Sequence, residues 1–143
     1  MPSPAPGTFI RSSTVRHVGW LEFDRPPVNA FTRDMVDQAH DAIAAALAAP
    51  DVRVLVLASA IETYFSAGAD LNVFKGLRGE GMRQWAIRCH DIVRLLRASP
   101  KPLLAAINGT AVGGGLEMTL HCDVRFAATN ARLGQPEIRI GFI

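Results

Sequence analysis

Two short apolar runs, each followed by a loop of small residues, constrain the fold more than any other feature of the chain. Residues 52–58 and 103–107 are almost entirely apolar, and such runs are typical of strands in a sheet that is covered on both faces. An apolar stripe at helical spacing separates them, formed by Met82, Trp85, Cys89, Val93 and Leu96. Strands that alternate with helices in this way predict an α/β architecture.

The first third of the chain predicts a hairpin followed by a helix. Residues 9–11 and 15–23 have strand composition, and Ser12, Ser13 and Thr14 between them form the predicted turn. Thr32 is the predicted N-cap of a helix that Pro50 ends. The apolar face of this helix is formed by Val36, Ala39, Ile43, Ala46 and Leu47.

The remaining segments predict a single domain. After the second buried run, residues 114–121 predict a short helix and residues 124–127 a further strand. Residues 1–8 begin with a stretch rich in proline, which predicts a flexible tail outside the fold. We therefore predict one α/β core domain over residues 9–143.

Composition and charge exclude several classes of protein. The formal net charge is only +2 and the basic residues do not alternate with aromatic ones, which argues against a nucleic-acid partner. No apolar run approaches the ~20 residues of a membrane span, and no signal peptide begins the chain, so we expect no membrane partner and a cytoplasmic location. We expect Cys89 and Cys122 to be reduced core thiols. The four histidines lack ligand spacing, and no metal site is predicted.

Two loops rich in small residues are the candidate ligand sites. Residues 65–71 and 108–117 each follow a buried strand and precede a helical segment, the place where α/β proteins bind ligands. Glycines at 113, 114 and 115 are unfavourable for a helix, which indicates close approach of a ligand or tight packing against a neighbouring element. Neither nucleotide-binding glycine fingerprint is matched.

Three motifs together resemble the crotonase (enoyl-CoA hydratase/isomerase) family. Residues 67–70 read A-G-A-D, residues 108–117 match N-G-x-x-x-G-G-G-x-E, and residues 134–137 read G-Q-P-E, in the order and at the approximate separations of the family. The resemblance covers residues 9–143 and implies the crotonase-like (ClpP/crotonase) fold, a spiral of repeated ββα units. It also implies that the chain is truncated before a C-terminal helical region, so that residues 1–143 alone are expected to be poorly soluble and inactive.

The resemblance also implies the roles of particular residues. The backbone N–H groups of Ala69 and Gly114 would form an oxyanion hole, and Glu117 and Glu137 would be the catalytic acids and bases. Taken without the family, each glutamate is equally compatible with a solvated surface position. Arg25 is a candidate contact to the CoA phosphates or a surface arginine. Further substrate-binding positions are Val28, Ala30, Ala67, Gly68, Asp70, Leu71, Gly113 and Pro136.

The function implied is that of an enoyl-CoA hydratase, which acts on an acyl-CoA thioester. Two catalytic glutamates favour a hydratase over the isomerases, hydrolases and dehalogenases of the family. CoA is part of the substrate and no further cofactor is expected, while a full-length protein is expected to form a homotrimer or a dimer of trimers. Two alternatives stay open, an enoyl-CoA double-bond isomerase and a non-catalytic fragment for CoA binding or assembly. Acyl-chain length and pathway are not indicated by the sequence.

Overall fold

A computed structural model describes residues 7–141 of the chain, in which two strands followed by a helix occur three times. The first unit is β1 (Ile10–Val15), β2 (Val18–Phe23) and α1 (Arg33–Ala48), and the second is β3 (Val54–Ser59), β4 (Tyr64–Ser66) and α2 (Gly79–Arg97). The third is β5 (Leu103–Ile107), β6 (Thr110–Val112) and α3 (Gly114–Leu120), after which come β7 (Val124–Ala127) and β8 (Leu133–Gly134). Two 3₁₀ helices lie at Leu71–Phe74 and Pro136–Ile140. The predicted repetition of ββα units is confirmed.

The strands form two sheets that run through the successive units. The larger sheet has the order β1-β2-β3-β5-β7, in which β1 is antiparallel to β2 and the other pairs are parallel. The smaller sheet has the order β4-β6-β8 and is parallel. From the second unit onward, the first strand of each unit therefore extends the larger sheet and the second strand extends the smaller one. The predicted α/β class is confirmed.

The hairpin turn lies at residues 16–17 and not at the predicted residues 12–14. Strand β1 continues through the predicted turn at residues 12–14, and Val15 pairs with Val18 across a two-residue turn. Arg16 and His17 at its centre have φ of 48° and 67°, the backbone that two-residue hairpin turns require. The predicted turn is wrong because short hydroxyl side chains also fit an exposed edge strand, and nothing in the pair Arg16-His17 marks a turn.

Three short strands were not predicted at all. Strands β4, β6 and β8 are two or three residues long, too short for an alternating pattern to be visible in the sequence. The predicted loops at 65–71 and 108–117 include most of β4 and all of β6, and no element was predicted over residues 133–134. What defines the three strands is their pairing with one another. They matter for the site because each lies at or next to one of the three motifs.

The two long helices follow the sequence prediction. The Thr32 hydroxyl accepts a hydrogen bond from the Met35 N–H at 3.3 Å, which confirms the predicted N-cap of α1. At the other end, the Lys101 ammonium group donates to the carbonyl oxygens of Ala46 and Ala49 at 3.0 and 2.7 Å. These bonds satisfy two of the carbonyl groups that a helix C-terminus leaves unpaired.

The core is formed mainly by residues of the three ββα units, whereas the strands that follow them have an exposed apolar surface. Leu55 and Leu57 of β3 are fully buried, whereas all four residues of β7 are exposed, including Phe126 at 62%. Ile138, in the second 3₁₀ helix, is 82% exposed. The central strands are therefore covered on both faces, whereas β7 is not. Within residues 7–141, no helix has both the length and the apolar character needed to span a bilayer.

Candidate active site

The two loops identified from the sequence contact each other in the structure. Gly68 has φ of +78°, a conformation that favours glycine. A Cβ atom placed on it would lie 2.9 Å from the carbonyl oxygen of Val112 and 3.1 Å from the backbone nitrogen of Gly114. Glycine is therefore required here for two reasons, the backbone conformation and the close approach of the second loop.

A cavity of about 880 Å³ opens beside this contact. Four of the predicted site residues line it, namely Ala69 from the first loop, Gly114 and Glu117 from α3, and Glu137 from the last 3₁₀ helix. The structure thus brings together residues from three separate motifs. Helix α2 forms much of the rest of the cavity wall, through Met82, Trp85, Ala86, Cys89, Ile92 and Val93.

The backbone N–H groups of Ala69 and Gly114 have no hydrogen-bond acceptor among residues 7–141. The groups around Ala69 are paired, because the Phe31 N–H donates to the Gly68 carbonyl at 2.7 Å and the Asp70 N–H donates to the Phe31 carbonyl at 2.9 Å. This pairing holds the loop in place and leaves one donor free. Two free backbone donors at one cavity are suited to an oxygen that gains negative charge during a reaction.

The two glutamates reach the cavity from different elements. Glu117 lies in the first turn of α3, is exposed, and accepts a hydrogen bond from Gln135 Nε2 at 2.8 Å. Glu137 is half-buried, and its Oε2 atom is buried without a hydrogen-bond partner in the structure. Its Oε1 atom packs against Gly113, where φ is +53° and an added Cβ would overlap the carboxylate. A buried oxygen without a partner has hydrogen-bonding capacity left for a water molecule or a substrate.

The other predicted substrate-binding residues do not line this cavity. In two of them, the backbone carbonyl oxygen accepts a hydrogen bond from this chain: Val28 accepts from the Ala67 N–H, and Ala30 accepts from the Arg25 guanidinium. Leu71 is 58% exposed and free to meet a ligand from outside the cavity. The remaining members of the set lie within two residues of a cavity-lining residue in sequence, and they are Ala67, Gly68, Asp70, Gly113 and Pro136.

Arg25 is held by this chain's own groups. Its guanidinium lies 3.1 Å from Asp70 Oδ2 and donates to the Ala30 carbonyl at 2.9 Å. The pKa of Asp70 is lowered, chiefly by the hydrogen bond from the Asn72 N–H and also by the nearby charge of Arg25. The structure therefore shows that Arg25 joins the segment before α1 to the A-G-A-D loop, and a contact to the CoA phosphates stays a prediction.

The wall formed by α2 is the part of the site that sequence reasoning missed. The stripe that includes Trp85, Cys89 and Val93 was assigned to the core, yet all three residues line the cavity, and Trp85 and Cys89 also contact the core. Cys89 is only partly buried, and burial together with the charge of Glu117 raises the pKa of its thiol to about 11. The helical spacing was the available signal, but a stripe that faces a cavity has the same period as one that faces a core.

Of the histidines in α2 and α3, His90 lines the cavity and His121 does not. His121 forms the C-cap of α3, where its N–H donates to the Met118 carbonyl at 3.3 Å, and it does not line the cavity. Across residues 7–141, no three His, Cys, Asp or Glu side chains are grouped so that they could hold a metal ion.

Known proteins share both the sequence and the fold. The chain is 37% identical over 122 residues to the crotonyl-CoA hydratase of Syntrophomonas wolfei, which covers 85% of this chain and 47% of that protein. The structure of Pseudomonas aeruginosa DspI matches with a TM-score of 0.90 at 32% identity, over 100% of this chain and 59% of that one. The enoyl-CoA hydratase of Bacillus anthracis matches with a TM-score of 0.89 at 30% identity, over 95% and 54%.

The matches cover most of this chain but a smaller share of each relative. The chain spans about half the length of the curated relatives to which it is similar. The sequence model of the enoyl-CoA hydratase/isomerase family, however, matches residues 14–143, nearly the whole chain. The resemblance carried by the three motifs is thereby confirmed, and the chain belongs to the enoyl-CoA hydratase/isomerase family.

Proposed function

We propose that the chain is the thioester-activating part of an enoyl-CoA hydratase, which adds water across the 2,3 double bond of an enoyl-CoA thioester. Support comes from a relative named crotonyl-CoA hydratase and from the cavity described above. Because the chain spans about half of that relative, the activity is proposed for the complete protein as its gene encodes it.

The observation that carries the proposal is the set of functional groups that line the cavity. Ala69 and Gly114 have free backbone N–H groups, and Glu117 and Glu137 bring two carboxyl groups to the same cavity. Hydration requires a base that activates water, an acid that protonates carbon, and donors that stabilise the oxygen of the thioester. All three kinds of group are present, and they come from segments far apart in the sequence.

The reaction can be written with these groups alone. One glutamate takes a proton from water as the water oxygen bonds to the β carbon, and the π electrons move toward the thioester oxygen to give an enolate. The N–H groups of Ala69 and Gly114 stabilise the charge on that oxygen more than they stabilise the neutral ground state. The other glutamate, as the acid, then gives a proton to the α carbon. Nothing is oxidised or reduced, and proton exchange with solvent restores both glutamates.

Two local contacts would hold the carboxyl groups in position for this chemistry. The Gln135 side chain donates to Glu117, and the Gly113 backbone packs against Glu137. The A-G-A-D loop, with Val28 and Ala30 beside it, would contact CoA. Assembly into a homotrimer or a dimer of trimers and a cytoplasmic location are part of the same proposal, and no cofactor beyond the CoA of the substrate is proposed.

Replacement of each glutamate by glutamine tests the proposal. In the complete protein, Glu117→Gln and Glu137→Gln should each lower kcat for a 2-enoyl-CoA by at least ~100-fold, because each removes a proton-transfer group. Turnover is followed by the loss of absorbance of the conjugated thioester, and CoA affinity is measured by calorimetry and should change little. Glu62→Gln is the matched control, since Glu62 is an exposed loop residue outside the cavity.

The outcomes separate the rival functions. Near wild-type turnover in either cavity variant would remove that glutamate from the mechanism. A protein that turns over a 3-enoyl-CoA and not a 2-enoyl-CoA would be an isomerase. One that binds CoA and turns over neither thioester would be a non-catalytic binding or assembly protein.

A further inference from the structure

Ser66 lies where the two donor loops meet. It ends strand β4 and is fully buried, with 0% of its surface exposed. Its hydroxyl donates to the Asn29 carbonyl oxygen at 2.7 Å and accepts a hydrogen bond from the Gly68 N–H at 3.0 Å. Because a serine hydroxyl has a single hydrogen, one donated and one accepted bond fix its orientation.

Helix α3 packs against the same side chain. A Cβ atom placed on Gly115 would lie 2.6 Å from Ser66 Cβ and 2.9 Å from Ser66 Oγ, so the first turn of the helix is in direct contact with Ser66. Gly68 precedes Ala69, and Gly115 follows Gly114. Each of the two free N–H donors is therefore one residue away from a contact with Ser66.

The carbonyl group that accepts from Ser66 is itself firmly held. Asn29 is fully buried, and its amide nitrogen donates to Ser59 Oγ at 2.8 Å and to the Phe65 carbonyl at 3.1 Å. Its Oδ1 accepts from the Arg25 N–H at 2.7 Å, while its backbone has φ of +51°, a conformation that asparagine tolerates better than most residues. The Ser66 hydroxyl is thus bonded to a fixed point of the fold.

We propose that Ser66 is a positioning residue that sets the separation of the Ala69 and Gly114 donors. The inference rests on the function proposed above. Donors stabilise a developing oxyanion only when they lie at hydrogen-bond distance from the place that it will occupy. A displacement of about 1 Å is enough to lower the rate by roughly 100-fold.

A matched pair of serine variants tests the role. Ser66→Ala removes the hydroxyl that bonds the Gly68 N–H to the Asn29 carbonyl. Ser99→Ala removes another hydroxyl that accepts from the backbone N–H two residues later. The Ser99 hydroxyl also accepts from the N–H two residues later, that of Lys101, at 3.1 Å, and donates to the Lys101 carbonyl at 2.8 Å. Ser99 lies before β5 and outside the cavity, so it reports the cost of losing such a hydroxyl alone.

In the complete protein, Ser66→Ala should lower kcat for a 2-enoyl-CoA about 10- to 100-fold and leave KM within about twofold. Ser99→Ala should leave both constants at the wild-type values, although both variants lower thermal stability. A purely structural role for Ser66 predicts that the two variants behave alike in kcat. Equal kcat values for the two variants would overturn the proposal, and so would a Ser66→Ala variant whose loss is entirely in KM.

Amide hydrogen exchange keeps the test decisive if Ser66→Ala does not fold or if the protein is not a hydratase. The Gly68 N–H should be as well protected in the wild-type protein as the amides of β3, and should lose protection in Ser66→Ala but not in Ser99→Ala. Rapid exchange of Gly68 in the folded wild-type protein would refute the positioning role, whatever the activity. A wild-type protein that lacks hydratase activity but has a protected Gly68 amide would refute the proposed reaction, while the Ser66 bond would stand.

Discussion

Gly68→Ala should separate the two loops that carry the free N–H donors. The added Cβ would lie 2.9 Å from the Val112 oxygen and 3.1 Å from the Gly114 nitrogen. Both are backbone atoms, which cannot move aside as the end of a flexible side chain can, so the loops themselves must shift. The shift would act directly on the position of Gly114 and on Ala69, the neighbour of Gly68.

Gly76→Ala provides a close control for the cost of backbone conformation. Gly76 has φ of +75° against +78° for Gly68, and a Cβ on it would meet nothing within 4 Å. An alanine in the left-handed region costs about 1–2 kcal/mol, of which roughly 0.4–1 kcal/mol is returned because the unfolded chain becomes less flexible. Gly76→Ala should therefore lower the free energy of unfolding by at most about 1.6 kcal/mol and leave kcat unchanged.

The difference between the two variants measures the effect of loop separation. Loss of one oxyanion donor costs roughly 2.7–4 kcal/mol of barrier, or about 100- to 1,000-fold in kcat. We expect a loss of this size for Gly68→Ala, in steady-state assays with a 2-enoyl-CoA and with denaturant unfolding measured in parallel. If Gly68→Ala retains wild-type kcat, or if Gly76→Ala loses as much, the loop contact does not control the donors.

Three further predictions concern the oxyanion donor, a helix cap and the thiols. Gly114→Pro removes a backbone N–H, so hydration should be abolished while calorimetry still detects CoA binding, and retained hydration would place the oxyanion hole elsewhere. Thr32→Ala removes the acceptor for the Met35 N–H and should lower the free energy of unfolding by roughly 1 kcal/mol; unchanged denaturant unfolding would show that the cap contributes nothing. Burial is the main cause that raises the pKa of Cys89 and Cys122 from 9.0 to about 11, so both thiols should react slowly with a thiol reagent at pH 8. Rapid labelling of the native protein at pH 8 would contradict this expectation. The stability that the raised pKa values contribute is present in full below pH 9 and is lost as the pH rises through about 11.

Local patterns in the sequence were sufficient to predict most of the regular elements. The apolar runs that became β3 and β5, the N-cap at Thr32 and the stripe of α2 each depend on residues close together in the chain. The turn at Arg16-His17 and strand β4 were missed because neither has a pattern of its own. Such features take their conformation from the strands with which they pair.

The sequence by itself determined the order of the longer strands and the helices, and the three motifs that place the chain in its family. Only the tertiary structure decided that Gly68 packs on Gly114, that Gln135 donates a hydrogen bond to Glu117, and that α2 lines the cavity. Periodicity describes which face of an element is apolar, but it does not say what that face meets. Contacts between distant segments depend on how the elements pack, and the functional groups of this chain come from such segments.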